Sequence, residues 1–212
     1  YYVLGVLAEP IGAHRGWSNA MVLGGLTVAL LVAAATSQSI GARIDRNGAR
    51  GPMTLGALLA AGGLAALTIV PVWGAYLAVW ALLGVAMRLT LYDAAFAAVV
   101  QANPTQGKRA IAYVSLWGGF ASSVFWPAGH FLSAQIGWQA TLLVFAGLNA
   151  MVCAPLYWFG AQTSSVGSAG AKAQSGDKSA SAVAARGLDG PLRRLALVIF
   201  GGAMGVYAFI MG

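Results

Sequence analysis

Residues 41–50 read Gly41-Ala42-Arg43-Ile44-Asp45-Arg46-Asn47-Gly48-Ala49-Arg50 and lie between two long apolar segments. This stretch holds one acid and three arginines, in a chain of which only 8% is charged. Glycine allows the backbone to turn tightly, so we expect a compact charged turn between two hydrophobic helices. A turn of this kind belongs at a membrane surface, and its excess of arginine favours the cytoplasmic one.

The composition of the whole chain is that of a membrane protein. Hydrophobic residues make up 59% of the 212 residues, and the mean hydropathy is +0.75. Soluble domains carry about 25% charged residues, so these side chains cannot supply a surface that faces water. The formal charge of +7 is therefore explained by basic cytoplasmic loops, and we expect no nucleic-acid partner.

The sequence offers no pattern for metal binding or covalent catalysis. Cys153 is the single cysteine, so neither a disulfide framework nor a cysteine-based metal site can form. Paired carboxylates, a histidine cluster and a nucleophile motif are all missing from the sequence. We therefore expect no metal, no cofactor and no enzymatic activity.

A helix that spans a membrane needs about 20 largely apolar residues. By that measure the predicted spans are 1–12 (a partial one), 17–41, 52–72, 75–101, 110–133 and 138–160. Because the chain begins and stops inside apolar segments, we expect it to be a fragment of a longer protein.

Two further segments follow the sixth predicted span. Residues 161–190 are dominated by Ser, Gly and Ala, a composition that predicts a flexible linker rather than a packed domain. Residues 191–212 are largely apolar again and predict the start of a seventh span.

The loops between the spans predict the topology. Basic residues follow the second, fourth and sixth spans, whereas the loops around 71–74 and 135–138 carry no charge. If every helix crosses the membrane, the positive-inside rule predicts that every second loop is basic, as observed in this sequence. We therefore expect the N-terminus, the charged turn and the 161–190 linker to be cytoplasmic, and the chain to lie in a cell membrane, the inner membrane of a bacterium.

Glycine and tryptophan have separate expected roles. Small residues such as those of Gly24-Gly25 and Gly62-Gly63 let membrane helices approach closely. Tryptophans near the predicted span ends are expected to form interfacial belts; these are Trp17, Trp73, Trp138 and Trp158.

The pattern Gly-x-x-x-Asp-Arg-x-Gly-x-Arg, formed by Gly41, Asp45, Arg46, Gly48 and Arg50, resembles the cytoplasmic loop of the major facilitator superfamily. That loop also follows the family's second span. The resemblance implies an all-α, polytopic transmembrane helical bundle. Residues 1–160 would form the N-terminal half of such a transporter, built as two inverted three-helix repeats, and 191–212 would begin the second half.

The resemblance also implies a role for the charged turn. In the family this loop is thought to latch the two halves together in one state of the alternating-access cycle. Gly41, Asp45, Arg46, Gly48 and Arg50 would then form a conformational latch. Its partner would be the protein's own C-terminal half, which we expect to be missing from this chain.

A finer resemblance rests on fewer residues. Gly16-Trp17-Ser18, and Lys108-Arg109 ahead of Gly118-Gly119, are similar to a bacterial branch related to the monocarboxylate transporters. Of the proline-glycine signature of drug/proton antiporters only Pro127 and Gly129 are present. Because the signature is incomplete, drug export is the less favoured interpretation, and it stays open as an alternative.

The fourth predicted span contains Arg88 and Asp93, the most costly side chains for a membrane interior. An arginine at the centre of a membrane helix costs at least ~2.5–3.5 kcal/mol, and such residues usually face a cavity or a partner. Tyr92 follows Arg88 by four residues and so lies on nearly the same helix face.

We assign Arg88 and Tyr92 to the binding of an anionic group of a substrate, because a guanidinium forms paired hydrogen bonds with a carboxylate. Asp93 is assigned to substrate binding or proton coupling, since burial raises the pKa of a carboxyl. The competing interpretation is that both charges form structural ion pairs with neighbouring spans.

The residues and the resemblance together predict secondary active transport of a small organic solute by alternating access. An organic anion is favoured as substrate, and protons are the candidate coupling ion. Two alternatives stay open: export of drug-like or amphipathic compounds, and a membrane-integral sensor or enzyme whose active part lies elsewhere. The expected partners are the solute, protons, the lipid bilayer and the C-terminal half.

Overall fold

The computed structural model describes residues 2–91, 94–96, 98 and 107–160. Over these residues the secondary structure is helical, without a strand, which confirms the all-α prediction. The helices are α1 (Tyr2–Arg15), α2 (Asn19–Asn47), α3 (Arg50–Ile69), α4 (Trp73–Thr90), α5 (Gly107–Leu148) and α6 (Ala154–Gly160), with a π-helical turn at Asn149–Cys153. The predicted linker and span seven lie outside the described residues, and the division into domains stays a prediction.

Four helical stretches in the described part are long and apolar enough to cross a membrane. They are Asn19–Asn47, Arg50–Ile69, Trp73–Phe96 and Val114–Gly160. The last is 47 residues long and would measure about 70 Å as a straight helix, more than twice the ~30 Å of a bilayer core. A break in this stretch is therefore required.

The break lies at Gly137, where φ is 80° and ψ is 164°. This positive φ suits glycine, which has no Cβ to clash with its own backbone. Gly137 divides α5 into a first arm before it and a second arm after it. The sequence predicts a loop at 135–138, and the break falls within that range.

Helices α2 and α4 lie side by side and run in the same direction. Near the start of both, the Tyr76 hydroxyl donates a 2.9 Å hydrogen bond to the Val22 carbonyl. Further along both, Gly84 lies against the backbone of Ala29. Because the contacts advance together on the two helices, α2 and α4 are parallel.

Helix α3 runs opposite to α4. A Cβ atom at Gly56 would lie 2.6 Å from the Thr90 side chain, near the end of α4, whereas Gly63 faces Leu83, further back on that helix.

The second arm of α5 and α6 are also antiparallel to α3. The arm begins beside the end of α3, where the Gln139 amide lies 3.5 Å from the Thr68 carbonyl. It leads to α6, whose Trp158 lies beside Arg50 at the start of α3. Helices α2, α3 and α4 thus alternate in direction, as the loop charges predict, and the second arm of α5 runs parallel to α4.

Glycine residues allow α4 to pack closely between α2 and α3. Gly84 touches the backbone of Ala29 on α2, while Gly63 on α3 receives the Leu83 side chain. Gly25 on α2 meets Trp80 in the same way. The neighbouring Gly62 has open space around it in the described part of the bundle, so only Gly63 of this pair packs against another described helix.

We expect Gly84→Ala to destabilise the bundle by about 1–3 kcal/mol, because the new methyl group would overlap a backbone carbonyl that cannot rotate away. Thermal unfolding of the chain in detergent would measure the change. Gly62→Ala is the matched control: it adds the same methyl group to a helix interior with open space, and alanine is the better helix former. A similar loss of stability in both variants would contradict this packing account.

Two helix ends differ from the sequence prediction. Residues 41–47, expected in a turn, form the last turns of α2, so the turn itself is limited to Gly48 and Ala49. Helix α4 ends at Thr90, although the predicted span continues to 101. Leu91 is extended there, with ψ 178°, and the Ala94 amide then donates to the Leu91 carbonyl at 2.9 Å as the helix resumes.

Candidate functional site

The alternating helices give the bundle two distinct ends. We call the end with the Gly48 turn, the start of α3 and the end of α6 the basic end. The opposite end holds the turns at 16–18, 70–72 and Gly137, and we call it the aromatic end. The residues of the charged turn lie at the basic end.

Gly48 shapes the turn between α2 and α3. Its φ of 79° is positive, and its amide donates a 2.9 Å hydrogen bond to the Ile44 carbonyl. A residue with a Cβ would be strained here, so the need for glycine at this position is confirmed. Gly41 differs: the space next to its Cα is open in the described part of the bundle. No described helix approaches Gly41, and its role in the charged turn stays a prediction.

The arginines of the charged turn lie in different environments. Arg43 and Arg46 are exposed on the last turns of α2, and so is Asp45. Arg43 and Arg46 line an open cleft together with Ser39, Ala42 and Asn47, with a volume of about 460 Å³.

Arg50 instead packs against α6. Its guanidinium carbon lies 4.1 Å from the centre of the Trp158 ring, well within the range of a cation–π interaction. Its Nε is buried and has no hydrogen-bond partner among the described residues. Sequence analysis missed this contact, because Trp158 is distant along the chain and is equally compatible with an interfacial belt. The pair joins the charged turn to α6.

A double-mutant cycle tests the Arg50–Trp158 contact. We expect Arg50→Gln and Trp158→Leu to couple by about 0.5–2 kcal/mol in unfolding free energy, because each change removes one partner of a cation–π pair. The exposed Arg43 supplies the control: Arg43→Gln and Trp158→Leu should be additive. Additive behaviour of Arg50 and Trp158 as well would show that the two residues do not stabilise each other.

Arg88 lies in the last turn of α4 and is half-buried. The next residues of α4, Leu89 and Thr90, contact Gly56, so Arg88 is close to the level of that glycine. Gly56 is six residues after the start of α3, a rise of about 9 Å. Helix α3 is 20 residues long, so this level lies between the basic end and the middle of α3, and it is closer to the middle.

The other two residues of the predicted binding site, Tyr92 and Asp93, lie outside the described residues. The structure therefore does not test whether they join Arg88. It does show that the helix is interrupted at Leu91, between Arg88 and these two positions. This interruption falls within an apolar stretch long enough to span a membrane, Trp73–Phe96.

Interrupted helices inside a membrane have a structural requirement. Their unpaired backbone groups must be buried in protein or face a water-filled cavity, since lipid offers no hydrogen bonds. In many transporters such breaks lie at the substrate or ion site. The break at Leu91 is a feature that the sequence did not reveal, since no proline or glycine occurs near it.

Arg15 is half-buried at the aromatic end. The Arg15 guanidinium donates to the Leu67 carbonyl at the end of α3. It also lies 5.0 Å from the ring centre of Trp17 and 5.4 Å from that of Trp138. His14 packs edge-on against Trp138 with ring centres 5.6 Å apart. This cluster joins α1, α3 and the second arm of α5, and it gives Trp17 and Trp138 packing partners inside the bundle.

Among the described residues, no group of His, Cys, Asp and Glu side chains is arranged to hold a metal ion. The arrangement instead consists of apolar helices of alternating direction, a basic turn and one half-buried arginine beside a helix break. These features define a multi-pass membrane protein.

The family model of the Major Facilitator Superfamily matches residues 1–212. The chain therefore belongs to the major facilitator superfamily and is a membrane transport protein for a small-molecule solute. No curated protein and no solved structure gives a match. The finer resemblance to the monocarboxylate branch is not confirmed by these comparisons.

Proposed function

We propose that this chain takes part in secondary active transport of a small organic anion, with Arg88 as the residue that binds the anionic group. The observation that carries the proposal is the interruption of α4 at Leu91, within one turn of Arg88. A fixed positive charge and an interrupted helix in an apolar segment together suit a site for a polar solute.

Arginine has the properties that this role requires. Its guanidinium stays charged in proteins and presents two parallel N–H groups to a carboxylate. Arg88 is half-buried in a bundle of apolar helices, where a charged partner is more strongly favoured than in water. Tyr92 and Asp93 follow the break in sequence, and we assign them to substrate binding, with Asp93 as the candidate proton acceptor for coupling.

The charged turn has a proposed role in the same cycle. We assign Asp45 and Arg46 to a latch that contacts the second half of the transporter, since both side chains are exposed at the basic end. Arg50 contributes differently: its packing on Trp158 holds the turn against its own half. Gly48 provides the backbone geometry of the turn, and Gly41 is the least supported member of the set.

Arg88→Lys tests the substrate assignment. Lysine keeps the charge but loses the paired geometry, and hydrogen bonds to charged groups are worth about 1.5–3 kcal/mol. We therefore expect kcat/KM for carboxylate uptake to fall roughly tenfold to hundredfold. Uptake of labelled carboxylates into cells that express the full-length gene product is the measurement.

Arg43→Lys is the control for this experiment, since it makes the same chemical change on an exposed face of α2. Unchanged carboxylate uptake by Arg88→Lys would contradict the assignment of Arg88. If the unaltered protein, Arg88→Lys and Arg43→Lys all transported uncharged amphipathic compounds at equal rates, the alternative of drug-like substrates would be favoured.

We further propose that the basic end faces the cytoplasm of a bacterial cell, as the loop charges indicate. Ala42→Cys at the basic end and Ala13→Cys near the aromatic end place thiols at two exposed positions, while Cys153 is fully buried and provides a low background. A membrane-impermeant maleimide should label position 13 in intact cells and position 42 only after permeabilisation. The reverse pattern would overturn the orientation.

A further inference from the structure

The last two turns of α2 carry a basic cleft, and of its lining residues the transport proposal uses only Arg46, as part of the latch. The lining residues are Ser39, Ala42, Arg43, Arg46 and Asn47, around a volume of about 460 Å³. The cleft is open, and all five lining residues belong to α2. Ser39 and Arg43 are not fixed positions of the loop motif, so the motif alone does not account for the cleft.

The cleft points away from the core of this bundle. Arg43 and Arg46 are three residues apart and therefore share one face of the helix. Ile44 is buried and packs into the core on another face. Asp45 also lies off the cleft face, because each residue turns the helix by about 100°. The acid is not one of the lining residues, and the cleft thus combines two positive charges with a hydroxyl and an amide.

The position and chemistry of the cleft favour one kind of occupant. The cytoplasmic leaflet is rich in anionic lipids, which attract basic residues close to the membrane surface. Arginine binds phosphate through paired, charge-assisted hydrogen bonds, and the Ser39 hydroxyl and Asn47 amide can add neutral donors. We propose that this cleft binds the phosphate of an anionic phospholipid headgroup from the cytoplasmic leaflet. The proposal rests on the proposed cytoplasmic orientation of the basic end and does not depend on which solute is transported.

Native mass spectrometry of the full-length gene product in detergent tests the proposal. Phosphatidylglycerol is titrated, with phosphatidylcholine as the neutral lipid for comparison. The affinity is taken from the fraction of protein that carries one bound lipid. We expect Arg43→Gln combined with Arg46→Gln to weaken phosphatidylglycerol binding by about thirtyfold, since each basic residue near anionic lipid is worth about one kcal/mol. Phosphatidylcholine binding should not change. Equal binding of the two lipids by the unaltered protein would overturn the proposal.

The matched control is Lys172→Gln combined with Lys178→Gln, which removes the same two charges from the 161–190 segment. We expect this control to keep its affinity within about threefold. An equal loss in both double variants would show attraction by net charge alone and would refute a defined site. No loss in the arginine variant would refute it as well.

A variant that keeps every charge provides a second test. Ser39→Trp would fill the cleft from an exposed position, where a large side chain does not disturb the core, and we expect it to abolish the preference for phosphatidylglycerol. Retained preference would contradict binding inside the cleft. Inorganic phosphate at matched concentration should compete poorly; full displacement of the lipid would instead identify a site for free phosphate.

Discussion

The close contact of α4 with α2 and α3 determines the geometry of the rest of the bundle. Gly84 brings the backbones of α4 and α2 together, and Gly56 and Gly63 admit the side chains of α4 on the other side. In a membrane, helices gain little from leaving lipid for one another, so association depends on this kind of close packing. Because α4 is held on two sides, the helix break at Leu91 has a fixed place beside α3.

The same packing gives the arginines of the chain different surroundings. Arg15 and Arg50 lie near opposite ends of α3, and each rests on tryptophan. Both contacts use the same physics: a guanidinium that has lost part of its water is stabilised by the face of an indole ring. These two arginines therefore act between helices of one bundle. Arg43 and Arg46, which are exposed, are placed to meet a partner outside it.

Much of the fold could be predicted from the sequence, for identifiable reasons. The apolar stretches reveal helices because a membrane accepts only segments that satisfy their own backbone hydrogen bonds. The glycine pattern at residues 41–50 indicates both the family and the positive φ at Gly48. Contacts between distant positions were not predictable. Neither hydropathy nor spacing distinguishes Trp158 packed on Arg50 from a tryptophan that merely faces the membrane surface.

The position of Arg88 shows why the candidate site was only partly predictable. A span taken to run from 75 to 101 puts this arginine in the middle of the membrane, where its cost alone would argue for a function. In the structure α4 ends at Thr90, and Arg88 lies about 9 Å from the start of α3, between that end and the middle of the helix. An arginine side chain is long and flexible and can extend toward water, so the cost of burial alone is a weak argument for a function. The break at Leu91 is the stronger argument, because it interrupts the regular helical backbone inside an apolar segment, and the backbone cannot extend to water as a flexible side chain can.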